Sequence, residues 1–321
     1  MVNSGPITPI VSVVMPLYNK EKDVSRAIDS VLSQTAKEFE LIAVNDGSTD
    51  KGPEVVRAFK DQRIRIIDQP NQGVSAARNK GIAEAKADLI AFLDADDEWK
   101  PDFLEIILRL KRKFPTCSVF ATNYFFSLPD GSNRPTLLRE LPRDFHEAIL
   151  PDYFAIASRS DPPLCSSAVA VTKTAITSTG GFPAGITSGE DLLTWARLAA
   201  RFQIGYSTKP CSIHYNPQTV SDRPGRMPQE PDKVGDSLRD LLNNADSATI
   251  PGLKAYIALW HRMRAVIFIQ LGDKKNARKE VRVAMRFAPS LRLSLLLFIA
   301  ILPASLAAKA LMYIKRMRAS S

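Results

Sequence analysis

Four apolar runs dominate the first hundred residues: IVSVVM at 10–15, LIAV at 41–44, a shorter IRII at 64–67, and LIAFL at 89–93. They lack the strict polar alternation of a strand with one face in water, so they predict strands buried on both faces. Helices are predicted between them at 21–33, 53–60, 73–86 and 101–113. The first carries Val24, Ile28, Val31 and Leu32 on one side, and the last has Pro101 in its first turn. Strand and helix alternating in this way specify a parallel sheet covered on both sides, an α/β domain of αβα layers. A further strand is expected at 119–126. Residues 127–163, with six prolines, then read as a long surface excursion, the kind of loop that is functional or mobile. A strand-like stretch at 166–171, the turn TGGFP at 179–183 and a helix at 189–202 complete the reading of this domain.

The chain has 321 residues, enough for one large domain and an extension or for two ordinary domains. A composition of 45% hydrophobic and 24% charged residues excludes global disorder. Cys117, Cys165 and Cys211 are odd in number, far apart and without CxxC spacing, so they read as reduced packing residues of a cytosolic protein. The opening residues have no basic n-region and no long apolar core, which disfavours a signal peptide and leaves 1–9 as a short disordered lead. The polar, proline-rich stretch 216–237 marks a boundary, with the layered domain over 10–225 and a helical extension over 226–321.

Net charge is +9, and its distribution is uneven. Residues 226–321 hold 17 Lys/Arg against 7 Asp/Glu, whereas residues 1–225 hold 26 against 27. The excess belongs to the extension and points to an anionic partner there, the alternative being a merely solvated basic face. Helical spacing of Leu253, Tyr256, Ile257, Trp260, Met263 and Ile267, then of Ala277, Val281, Ala284 and Ala288, predicts a helical hairpin over 251–289. Residues 293–308 read LSLLLFIAILPASLAA without a charge, preceded by Arg292 and followed by Lys309, Lys315, Arg316 and Arg318. This run is short of the roughly 20 residues of a spanning helix and contains Pro303. An amphipathic or re-entrant membrane segment over 293–314 is expected, with an anionic membrane surface held through 293–318. The competing reading is a helix docked on the protein's own core. Nucleic acid is disfavoured, because no aromatic residues interleave the basic ones and no binding motif is present.

In a parallel α/β sheet, ligands bind beyond the carboxyl ends of the strands. Three polar clusters sit at such ends: Pro16-Leu17-Tyr18-Asn19, Asn45-Asp46-Gly47-Ser48, and Asp94-Ala95-Asp96-Asp97. Turn geometry alone explains any one of them; three on one edge suggest a site. The stretch LIAFLDADDEW places four acids within five positions, where each close pair repels by roughly 1 kcal/mol even in water. A divalent cation turns that repulsion into attraction and can bridge substrate phosphates. On an extended chain Asp94 and Asp96, two apart, project the same way, while Asp97 points elsewhere and caps the following loop. No GxGxxG follows a strand and no GxxxxGK[ST] occurs, which disfavours a dinucleotide dehydrogenase and a P-loop nucleotidase.

The blocks VSVVMPLYNKEKDVSRAIDSVLSQ, FELIAVNDGSTD, NQGVSAARNKGIAEAKADLIAFLDADD and SGED resemble, in order and approximate spacing over about 8–215, the family-2 glycosyltransferases of the GT-A fold, bacterial type. The resemblance implies a transfer of the hexosyltransferase kind from a nucleotide-diphosphate sugar, with Mn²⁺ or Mg²⁺ as cofactor. It further implies that Pro16, Tyr18 and Asn19 line the nucleotide pocket, that Asp46 holds a uracil base, and that Arg78 lies near the pyrophosphate. On the same resemblance, Asp94 would contact ribose or metal and Asp96 would be the principal metal ligand. Asp191 would be the general base of an inverting displacement, with Glu190 orienting the acceptor. Taken alone, two acids opening a helix are explained by the helix dipole.

His214 lies about where the fold often places a metal-reaching histidine, though a lone His is more often a satisfied core or surface residue. His146 and His261 receive no role. The setting implied is the inner face of a cell membrane, with a lipid-linked or cell-surface polysaccharide precursor as acceptor. Two other classes are open: a non-catalytic sugar-nucleotide or glycan-binding module, and an adaptor with a vestigial transferase domain.

Overall fold

A computed structural model describes residues 8–142, 144–215, 227–243, 250–303, 306–307 and 310–311. Residues 1–7 of the expected lead, residues 216–226 of the boundary stretch 216–237, and Lys309, Lys315, Arg316 and Arg318 lie outside the described residues. The chain divides into two compact units, 1–218 and 219–321.

The first unit is built on a sheet of order β3-β2-β1-β4-β9-β6-β10-β5. Its first four strands are β1 (Val11–Leu17), β2 (Phe39–Asp46), β3 (Ile64–Gln69) and β4 (Leu89–Phe92), all parallel, as the apolar runs require. Helices α1 (Val24–Leu32), α2 (Gly52–Ala58) and α3 (Val74–Glu84) alternate with them, followed by the short strand β5 (Glu98–Trp99) and α4 (Phe103–Lys113). The strand period of two sorts β1 by face. Val11, Val13, Met15 and Leu17 pack with Val24, Ile28 and Val31 of α1 and with Phe103, Ile106, Ile107 and Leu110 of α4. Val14 faces the other way, onto α3.

Beyond β4 the sheet becomes mixed. Strand β6 (Val119–Ser127) is separated from β4 by β9 (Val169–Thr172), which runs antiparallel to both. The stretch 127–163 is more ordered than its prolines suggest. It holds β7 (Asn133–Pro135) paired with β6, β8 (Glu147–Ile149) paired with β10, and α5 (Tyr153–Arg159), whose N-cap Asp152 accepts a bond from the Ala155 amide. After α6 (Lys173–Ser178) and α7 (Glu190–Ala199) comes β10 (Ile204–Tyr215), twelve residues long and parallel to β6. Sequence reading names no strand there, because Lys209-Pro210 interrupts the pattern. The structure accommodates them with register shifts at Ser207/Pro210 and Pro210/Ile213, the irregularity that lets a proline sit within a sheet.

The second unit is helical, with α8 (Lys233–Asn243), α9 (Leu253–Gln270), α10 (Lys274–Phe287) and α11 (Leu291–Ile299). A turn at 271–273 joins α9 to α10, with Gly272 left-handed (φ 78°) and Asp273 capping α10 through the Asn276 amide. His261 has a structural place here. Its Nδ1 lies 2.6 Å from Glu280, Arg264 donates to Glu280 at 3.0 Å, and Trp260 Nε1 donates to Asp232 at 3.0 Å. Each buried polar group in this network thereby has a partner, as burial demands.

One close approach fixes how α3 lies on the sheet. A Cβ on Gly81 would stand 2.3 Å from Cγ1 of Val14. Gly81→Ala is expected to lower unfolding stability by about 1–3 kcal/mol, the usual cost of overpacking, despite the better helix propensity of alanine. Urea denaturation checks this; an unchanged midpoint would show that α3 does not sit so close.

Candidate active site

The strand β4 ends at the acidic run, and the run is a turn rather than an extended chain. The Asp97 amide donates to the Asp94 carbonyl at 3.0 Å. Trp99 holds the far side of the turn. Its indole Nε1 donates to the Ser167 carbonyl (2.8 Å), its amide to Ser30 Oγ (3.1 Å), and its ring stacks on Phe103. The aromatic that closes LIAFLDADDEW is therefore the anchor that fixes where the acids stand.

Because the chain turns, alternation does not set the directions of these acids, and each meets a different partner. Asp94 accepts from Arg78 Nη2 at 2.7 Å. Asp96 accepts from Lys20 Nζ at 2.6 Å, and its carbonyl accepts from Arg26 Nη2 at 2.6 Å. Asp97 is fully buried and does more than cap a loop: it accepts from Ser167 Oγ, from the Tyr215 amide (2.9 Å) and from His214 Nδ1 (3.0 Å). Ligand atoms of Asp97, Cys165 and His214 lie within 4.8 Å of one another. The predicted ligands Asp94 and Asp96 thus sit beside His214's partner, while His214 itself contacts Asp97.

The charges respond to this crowding. Burial, then Asp97 and Asp94, raise the Asp96 carboxyl, with Lys20 pulling the other way. Burial opposes the His214 imidazolium, but Asp97, Asp94 and Asp96 together lift its pKa to about 9. Motif and spacing single out neither Lys20 nor Asn79, a residue of α3 that grips the glycine turn. The signal for Lys20 was adjacency, since it directly follows the strand-end cluster Pro16-Leu17-Tyr18-Asn19.

That cluster forms the neighbouring wall. Pro16 is paired with Val44 one residue before β1 ends, Tyr18 is exposed, and Asn19 adopts a left-handed backbone (φ 51°), tolerable for asparagine. Its Oδ1 accepts from the Thr49 amide at 2.8 Å, which joins the ends of β1 and β2. Asp46 is buried at the tip of β2. Its carboxylate accepts from Gln69 Nε2 (2.8 Å) and from the amides of Gln72 (2.9 Å) and Gly73 (2.8 Å), clasping the loop that opens α3.

The opposite wall is α7. Gly189 takes a left-handed conformation at its start (φ 84°), and Glu190 and Asp191 occupy the first turn. Arg78, with a side chain 4% exposed, bridges the two walls: Nη2 reaches Asp94, and Nη1 lies 3.6 Å from Glu190. Its Nε and Nη1 have no hydrogen-bond partner among the described residues. The next residue, Asn79, pairs in both directions with the backbone of Phe182, at 2.8 and 2.9 Å. This pins the Gly180-Gly181 turn, where a Cβ on Gly181 would meet Asn79 Oδ1 at 2.6 Å. Phe182 in turn packs edge-on against Phe92 and Trp195.

Burial and the adjacent Asp191 raise the Glu190 carboxyl to about 7, against the opposing charge of Arg78. The folded state therefore holds this proton more tightly than the unfolded chain, whose ordinary value is 4.5. The stability it contributes is full below pH 4.5 and is lost as pH rises to about 7. Glu190→Gln, which mimics the protonated acid, is expected to be more stable than the wild type at pH 7, with the gap closing toward pH 4.5. Urea titrations of both proteins across this range check the sign.

A family model, "Glycosyl transferase family 2", matches residues 12–163. The chain is 42% identical over 104 residues to a putative glycosyltransferase EpsH of Bacillus subtilis, covering 32% of this chain and 30% of that protein. It spans about a third of the length of the first curated relatives it matches, 30% and 38%. Among solved structures, S. aureus TarS 1–349 in complex with UDP-GlcNAc superposes with a TM-score of 0.68 at 18% identity, over 90% of this chain and 84% of that one. A mannosyltransferase from Pyrobaculum calidifontis, PcManGT, in complex with GDP-Man and Mn²⁺, gives 0.59 at 21% identity, over 94% and 81%. At such identities the structures establish the fold alone, the GT-A arrangement. Residues 12–163 thus match the glycosyl transferase family 2 model, within a domain of GT-A fold.

Proposed function

We propose that the protein is a metal-dependent, inverting glycosyltransferase. It moves a sugar from a nucleoside-diphosphate donor, a UDP-sugar, to a hydroxyl of a lipid-linked or cell-surface polysaccharide precursor. The observation that carries the reading is the buried Arg78, paired with Asp94 on one wall and facing Glu190 on the other. It draws the acids of a strand tip and those of a helix start to one crevice at the carboxyl edge of the sheet, where such folds bind ligands.

The donor side is formed by Pro16, Tyr18, Asn19 and Asp46, which hold the nucleoside. Asp94 contacts ribose or metal, and Arg78 supports the pyrophosphate region from behind Asp94. Asp96, Asp94 and His214 are the ligands proposed for the cation. Oxygen-rich donors with one imidazole suit Mn²⁺ or Mg²⁺, and Asp96 already lies against a positive charge, the ammonium of Lys20. A bound ion supplies positive charge to the departing diphosphate. Asp191 accepts the proton of the acceptor hydroxyl as that oxygen bonds to the anomeric carbon. The anomeric carbon–phosphate oxygen bond breaks on the opposite face, and the diphosphate leaves with its electron pair. Glu190 orients the acceptor. We place this activity at the inner face of a cell membrane, attached through 293–318, of which 304–305, 308–309 and 312–318 lie outside the described residues.

A screen of UDP- and GDP-sugars with a Mn²⁺ titration tests the proposal, and absence of turnover with every donor would favour a binding module. Asp96→Ala is expected to lose metal-dependent turnover, and Asp191→Asn to lose roughly 10²–10⁴-fold in rate, the contribution of a positioned base. Full rate in either variant moves that role elsewhere. Lys20→Met is expected to tighten Mn²⁺ binding by calorimetry, since the ammonium competes for Asp96. Unchanged or weaker binding would show that the ion pair does not occupy the ligand.

A further inference from the structure

The helix α11 has two apolar faces, and the fold uses one. Leu293, Leu296 and Ile299 are buried in a cluster with Ala265, Phe268 and Ile269 of α9 and with Val281 and Ala284 of α10. Leu291, Leu295 and Phe298 fall at i, i+4 and i+7 on another side, and they face water. Leu291 is 90% exposed and Phe298 60%, and the exposed Ile301 and Leu306 follow. Apolar side chains gathered at the surface in this way mark an interaction site.

We propose that this outer face of α11 docks on an anionic lipid bilayer, with the helix lying in the interface rather than crossing it. The proposal rests on the membrane-side setting given above and names its contact surface. A nine-residue helix is roughly 14 Å long, against a hydrocarbon core of about 30 Å. No helix of the described residues is long and apolar enough to cross a membrane.

Charge selects the partner. Residues 274–292 carry seven cations: Lys274, Lys275, Arg278, Lys279, Arg282, Arg286 and Arg292. Their single acid, Glu280, is buried against His261 and Arg264, so it offers no negative charge to the surface. Apolar side chains for the acyl boundary beside cations for the headgroups are the pairing an anionic interface binds. A second copy of the chain is a poor occupant, since it would bring two such cationic surfaces together.

Cosedimentation of the full chain with phosphatidylcholine vesicles, with and without phosphatidylglycerol, tests the proposal. Binding is expected to be at least about tenfold tighter to the anionic vesicles. Leu291→Ser/Leu295→Ser/Phe298→Ser alters outward side chains only and is expected to lose most of that binding while its thermal melt is unchanged. Phe298→Trp is expected to shift its fluorescence to the blue on anionic vesicles. No vesicle binding, full binding by the triple serine variant, or no blue shift would each overturn the proposal. So would an oligomer that the triple variant dissolves in the absence of vesicle binding, or binding to an acidic protein alone. A wild-type chain that turns over donor but binds no vesicles rejects this surface, whereas one that binds vesicles without turnover rejects the transferase reading.

Discussion

Three carboxylates in one four-residue turn at the end of a buried strand pose an electrostatic problem, and the architecture around them follows from its solution. In a partly desolvated site their mutual repulsion exceeds the roughly 1 kcal/mol per pair expected in water. The turn closed from Asp97 to Asp94 splays the side chains apart, and three separate elements each supply one positive or hydrogen-donating group. Arg78 arrives from α3, Lys20 from the end of β1, and His214 from the last strand. The parallel β1–β4 pair brings Lys20 to the tip of β4, α3 packed on β1 carries Arg78 there, and β10 brings His214 because it runs past β5.

Strands β1, β2 and β4 were legible because strands buried on both faces leave long apolar runs, whereas β3, at the sheet edge, is only partly buried and carries Arg65 within its run. The strand β10 was not, since Lys209-Pro210 lies within it and the ladder absorbs the pair by shifting register. Strands β7 and β8 are three residues each, too short for a period to register; β7 folds back on the end of β6 as a hairpin, and β8 exists by pairing with the distant β10. The same distinction runs through the site. Asp46, Asp94, Asp96, Glu190 and Asp191 stand out as acids at element ends. Which cation each one meets depends on side-chain directions after a turn, and spacing carries no information about that. Asp97 illustrates the point: the reading gave it a local cap, whereas its carboxylate joins β10 across more than a hundred residues of chain.

In the helical unit, sequence located an uncharged stretch and a basic surplus, but it could not assign faces. Packing decides that Leu293, Leu296 and Ile299 turn inward. The reading of a helix docked on its own core describes the inner side of α11, while Leu291, Leu295 and Phe298 leave its outer side apolar and exposed. His261 gains its place from Glu280, nineteen positions away, a partner that a lone histidine in a sequence does not announce.

Arg78 and Asn79 are consecutive residues of α3, yet one reaches the tip of β4 and the start of α7 while the other grips the glycine turn before α7. Gly81, one turn further on, holds the same helix hard against β1. The helix therefore works as a single rigid crossbar: the two sides of the crevice share one mount and cannot drift independently. Adaptation to differently shaped sugars then has to come from segments that this crossbar does not touch.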